Sequence, residues 1–158
     1  MRVLIVVESL FGNTELIAQA VADQLRQDGA EVELVDAASA RPHVDGVDLV
    51  LAGAPTHNLG LPTPTSRASA VDRGAPPVRS GLREWIATVE ASSTPVVTFA
   101  TKVAGRFSGS ASKAAAKLLR RRGLSAQQGT DFVVAGTTGP LTQGETDRAR
   151  EWATSLRG

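Results

Sequence analysis

Val3-Leu4-Ile5-Val6-Val7 is apolar at every position and mostly β-branched, and it runs directly into Glu8-Ser9-Leu10-Phe11-Gly12-Asn13-Thr14. A strand with no polar side is a strand covered on both faces, and sheets of such strands are parallel and flanked by helices. The following stretch repeats Ile17, Ala20, Val21 and Leu25 at helical spacing, and Gly29 can close that helix. The same alternation then continues. Glu31–Val35 sets Val32 and Leu34 between charges, as an edge strand does, and Val47–Ala52 is another buried run. Leu82, Trp85, Ile86 and Val89 form a second helical stripe, with Ser80 as its candidate cap. Pro95–Ala100 reads as a fourth strand, with proline at its start where a missing N–H is tolerated.

Ser110–Arg122 reads as a helix with Ala111, Ala114, Ala115, Leu118 and Leu119 inward, ended by Gly123. Its last turn, Arg120-Arg121-Arg122, complements the helix dipole. Phe132–Ala135 is a fifth strand, after a paired or bulged piece at Leu124–Gln128. Thr142-Gln143-Gly144-Glu145 has the spacing of a capping box and opens a last helix carrying Ala149, Trp152, Ala153 and Leu156. Strand and helix therefore alternate throughout. Residues 1–158 are expected to form a single α/β domain with a doubly wound five-stranded parallel sheet in the order 2-1-3-4-5. Only Ala54–Arg79 breaks the rhythm. It carries five of the eight prolines, and within it Ser66–Arg73 has room for two helical turns before Gly74.

The bulk composition narrows the chemistry. Lysine and arginine nearly cancel the carboxylates, at net +1, so the total points to no nucleic-acid partner. Cysteine is absent, which removes disulfides, thiolate nucleophiles and iron–sulfur ligation and agrees with a cytoplasmic location. No apolar run approaches the roughly 20 residues of a membrane helix. With two histidines in the chain, a histidine-rich metal site is not expected.

The first loop carries the clearest chemistry. Gly12 permits a tight turn and close backbone approach, Asn13 and Thr14 can cap the helix, and Ser9 and Thr14 add hydroxyls. Free N–H groups at a helix start, with the dipole behind them, favour an anion. Lysine and arginine are missing from this loop, so a phosphate here is held by neutral donors. A Walker-type loop is excluded because Gly-Lys-Ser/Thr is absent, and the dinucleotide Gly-x-Gly-x-x-Gly pattern is absent too. A receiver domain needs a carboxylate at the end of the third strand, where Gly53 and Ala54 stand.

In this position Ser-x-x-Gly-Asn-Thr resembles the FMN phosphate loop of flavodoxins, whose pattern is Thr/Ser-x-Thr/Ser-Gly-Asn-Thr. Phe11 stands where that family usually has a hydroxyl. Ala54-Pro55-Thr56-His57-Asn58-Leu59-Gly60 and Gly105–Lys117 resemble the second and third loops of flavodoxin-family proteins from high-GC Gram-positive bacteria, so the resemblance spans nearly the whole chain.

The resemblance implies FMN as cofactor. Ser9, Leu10, Phe11, Gly12, Asn13 and Thr14 would surround the phosphate. Pro55–Gly60, with Thr101, Lys102, Val103 and Phe107, would flank the ring. Flavodoxins usually place Trp or Tyr there. This chain has no tyrosine, and Trp85 and Trp152 read as helix core residues. His57, Leu59 and Phe107 are the candidates instead. His57 is either a flavin neighbour or a loop histidine bonded to backbone. Phe107 either stacks on the ring or staples the next helix. Flavodoxins are usually acidic, whereas Arg67, Arg73, Arg79, Lys102 and Arg106 here suggest a neutral or positive rim.

The function implied is electron transfer to a redox partner protein or a small acceptor, with no membrane or nucleic acid involved. Two other readings stay open. One is a binding or regulatory domain that has lost its flavin; the other is an NAD(P)H- or quinone-linked FMN reductase.

Overall fold

A computed structural model of the chain describes residues 1–157. Ten elements follow one another: β1 (Arg2–Val7), α1 (Asn13–Gln27), β2 (Glu31–Asp36), β3 (Leu49–Pro55), α2 (Pro64–Asp72), α3 (Leu82–Thr88), β4 (Ser92–Val103), α4 (Ala111–Arg121), β5 (Leu124–Val134) and α5 (Glu145–Ser155). All strand pairs are parallel and the order is β2-β1-β3-β4-β5, as the apolar runs require.

Strand alternation divides the core in two. Val3, Ile5 and Val7 of β1 join Phe99, Phe132 and the inward faces of α1 and α5. Leu4 and Val6 point the other way, into a layer with Val50, Ala52, Leu82, Trp85, Ile86 and Leu119 under α3 and α4. Both tryptophans are core residues: Trp85 donates its Nε1–H to the Arg41 carbonyl at 2.9 Å, and Trp152 packs edge-on against Phe132. No helix among the described residues is long and apolar enough to cross a membrane.

Several boundaries differ from the sequence reading, and each has a local cause. Gly12, at φ 88°, takes the N-cap of α1, and Ser9 Oγ accepts from Glu15 N at 3.2 Å; Asn13 and Thr14 are therefore inside the helix rather than capping it. Gly81, not Ser80, caps α3, because its N–H donates to the Glu84 carboxylate at 2.9 Å. The capping box at Thr142 does not form. α5 starts two residues later, behind Gly144 at φ 88°, and the Glu145 carboxylate accepts instead from the Val133 N–H at 2.6 Å. Pro95 lies inside β4, at a shift in the pairing with β5, so its missing N–H falls at an irregularity. Pairing shifts again between Thr98 and Ala100, which makes Leu124–Val134 one strand with a bulge. The proline-rich segment is largely ordered by α2. Thr63 and Ser66 cap that helix reciprocally, and Ala70 packs with Leu10 and Ala75.

Candidate functional site

In an open parallel sheet of this order the ligand crevice lies beyond the carboxyl ends of β1 and β3, where the chain switches direction. A cavity of about 410 Å³ occupies that position. Leu10, Phe11, Asn13 and Thr14 of the first loop line it, with Pro55, Thr56, His57, Asn58 and Leu59 from the second, and Thr101, Lys102 and Val103 from the end of β4. Ser9, Gly12, Gly60 and Phe107 stand outside the lining. Ser9 is engaged behind the loop as the helix cap. Phe107 is 85% exposed and forms no staple; Arg106 stacks over its ring at 5.8 Å.

Loop 9–14 is held from three sides. Thr14 Oγ1 shares a 2.8 Å hydrogen bond with Thr101 Oγ1, both residues being buried. Asn13 Nδ2 donates to the Thr138 carbonyl at 3.3 Å, and a Cβ on neighbouring Gly139 would overlap the Asn13 side chain, so only glycine fits there. Leu10 packs against α2.

What the loop leaves free is decisive for its chemistry. The backbone N–H groups of Leu10, Phe11, Gly12, Asn13 and Thr14 donate to no protein group among the described residues. They sit at the N-terminus of a 15-residue helix. Consecutive free donors backed by a helix dipole form an anion cradle. The donor set is neutral and suits a phosphate oxyanion group. Glu8, just before the loop, is buried and already engaged, and Glu15 follows the loop in the first turn of α1.

Glu8 is 3% exposed and accepts from Arg67 Nε at 2.7 Å and from the Leu82 N–H at 2.9 Å. Arg67 is 2% exposed and also meets Glu84 at 2.6 Å. Arg67 is therefore no part of a surface rim. It is a buried cation that ties α2 and α3 to the end of β1. Burial works against its charge, but the hydrogen bonds to Glu8 and Glu84 outweigh this and hold the guanidinium protonated.

The second loop is a tight turn. His57 and Gly60 exchange backbone hydrogen bonds of 2.8 and 2.9 Å. Asn58 and Leu59 sit at φ 47° and 72°, and for leucine this is a strained conformation. Gly109 lies so close that a Cβ there would overlap the Leu59 backbone, so the second and third loops are packed together. His57 Nδ1 lies 3.0 Å from Ser66 Oγ, a side-chain partner rather than the backbone one expected of a bland loop histidine. Burial lowers its pKa, Glu8 opposes this, and Arg67 and Arg73 add to it, so the ring is neutral at pH 7. Thr56 Oγ1 accepts from the Ala111 N–H at 3.0 Å, tying this loop to the start of α4.

The sequence reading missed one wall. Ser66, Ser69, Ala70 and Arg73 of α2, with Ser108, Val134 and Thr137, also line the cavity. The spacing of Ser66, Ser69, Ala70 and Arg73 matches one helix face, but the short polar helix has no apolar stripe to reveal it. Among the described residues no cluster of His, Asp or Glu is arranged to hold a metal ion.

Leu10, Pro55, Leu59, Val103 and Val134 give the crevice apolar walls beside the free amides of the first loop, so the residues present fit a flat aromatic ligand carrying a phosphate. No curated protein matches the sequence. Solved structures share the fold. A flavodoxin from the domain Archaea has a TM-score of 0.69 at 15% identity, covering 99% of this chain and 96% of that one. Oxidised flavodoxin 1 from Bacillus cereus gives 0.67 at 15% identity, covering 99% and 97%. Two-electron reduced flavodoxin from Megasphaera elsdenii gives 0.60 at 21% identity, covering 97% and 98%. The family model for flavodoxin matches residues 5–152. With nearly its whole length matched, the chain belongs to the flavodoxin family.

Proposed function

We propose that this protein binds FMN and works as an electron carrier in the cytoplasm. The observation that carries the reading is the row of free N–H groups from Leu10 to Thr14 at the switch point of the sheet. These amides, with the hydroxyl of Thr14, would hold the phosphate without a formal positive charge. Phe11 supplies no hydroxyl, and it packs against the cluster of Leu10, Ala70 and Ala75 instead, so the backbone would bear more of the phosphate contact. His57, Asn58 and Leu59 on one side and Thr101, Lys102 and Val103 on the other would flank the ring system.

Bound FMN supplies the redox chemistry, accepting and returning electrons. The protein's part is to bind, orient and shield. The 57–60 turn, packed on Gly109, would form one wall around the ring, and the buried Thr14–Thr101 pair would line the floor. His57 is the only histidine in the lining and is held neutral, and electron transfer calls for no further acid or base.

The test is direct. Purified protein mixed with FMN and then desalted should keep the visible absorption of bound flavin at about one equivalent per chain. A colourless protein after desalting, with unchanged circular dichroism, would favour a flavin-free binding domain instead.

A further inference from the structure

The rim of the crevice is chemically one-sided. Residues 9–14, 56–60, 101–110 and 135–144, the loops around it, contain no aspartate or glutamate. Lys102 and Arg106 stand in the third of these loops, and neither is ion-paired among the described residues. The net charge of +1 is thus unevenly spread, with a cationic end at the mouth of the cavity.

The same rim carries the most exposed large apolar side chain among the described residues. Phe107 is 85% exposed, and Val103 of the same loop and Leu59 of the second loop are exposed at 39% and 64%. Leu59 and Val103 reach into the cavity lining, and the close approach of Gly109 to Leu59 sets the second loop against the loop that carries Phe107. An apolar cluster of this kind, ringed by unpaired charge, has the make-up of a recognition surface: an aromatic anchor in the middle and steering charges around it. The left-handed turn at Asn58–Leu59 leaves the Leu59 side chain exposed at this rim.

We propose that this rim docks an electron-transfer protein whose own contact patch is acidic, with Phe107 as the apolar anchor and Lys102 and Arg106 as the steering charges. The inference rests on the FMN reading for its purpose, since the rim adjoins the proposed ring site. Its charge sense comes from this chain's own residues. The convex Phe107 stands outside the cavity, where a small molecule inside cannot cover it. Two cations around an apolar knob do not make the extended track that a phosphate backbone follows. The patch is small, so the complex is transient and salt-sensitive.

The experiment uses the FMN-loaded, isotope-labelled protein and two probes of opposite charge, an acidic plant-type ferredoxin and basic cytochrome c, followed by amide chemical shifts. Ferredoxin should shift amides within residues 57–60 and 102–109. Its dissociation constant should rise about tenfold between about 20 and 200 mM salt. Arg106→Glu and Phe107→Ala should each weaken it about fivefold or more. Arg121→Glu, exposed at the far end of α4, should not. Tighter binding of cytochrome c than of ferredoxin, or shifts elsewhere, would overturn the proposal. So would an unaffected Phe107→Ala variant, or equal binding of an oligothymidylate at the same amides. The shift map is also run without flavin. A protein that loses its visible absorption but keeps the map contradicts the cofactor reading and leaves the docking face standing.

Discussion

Glu145 shows how one residue can take a role that its sequence neighbours do not announce. Its spacing from Thr142 suggests a capping box, yet the carboxylate reaches across to the Val133 N–H at 2.6 Å and to Arg148 Nη2 at 2.7 Å. The hydrogen bond from Arg148 is the main reason its pKa lies below the ordinary 4.5; burial opposes the shift, and the Val133 N–H assists it. A carboxylate with a depressed folded-state pKa stabilises the fold above its unfolded pKa, and that stabilisation fades as the pH falls through the folded value. The wild type should therefore lose urea resistance more steeply than Glu145→Gln between about pH 5 and pH 3. Parallel midpoint curves for the two proteins would contradict the assigned role. Arg67 is a similar case. It sits in a polar, proline-rich stretch that reads as surface, and its partner Glu8 is 59 positions away, so no local pattern marks it as buried.

Among the elements, the strands were the most legible. An all-apolar run such as Val3–Val7 has one stable environment, and the order of the sheet follows from right-handed crossovers. Helix starts were harder to read because glycines at positive φ, Gly12 and Gly144, replace the expected side-chain caps, and because Ser9 caps from outside the helix. In the first loop, Gly12 marked the tight turn that leaves the neighbouring amides free, which supports the proposed anion cradle. The α2 wall was not, since its polar face carries no periodic signal. The turn at residues 57–60 is the element whose dynamics should respond to ligand. Its polar ends are satisfied within the turn, but Asn58 and Leu59 are exposed and anchored mainly by Gly109. Amide exchange in Pro55–Gly60 should slow when FMN is saturating. Unchanged protection there would count against its place beside the ring.

At the scale of the molecule, two helical layers bury a sheet whose carboxyl edge gathers three loops into one crevice. One loop offers free backbone donors, and the other two offer walls. The central claim is that the free amides of the first loop serve a phosphate. Titration of the flavin-free protein with FMN and with riboflavin, followed by fluorescence quenching, tests it most directly. FMN should bind about a hundredfold or more tightly than riboflavin, because several charge-assisted hydrogen bonds belong to the phosphate alone. Thr14→Ala should weaken FMN by about 1.5–3 kcal/mol and leave riboflavin nearly unchanged. Equal affinities for the two flavins, or equal losses for both in Thr14→Ala, would contradict the assignment of residues 9–14 as a phosphate site.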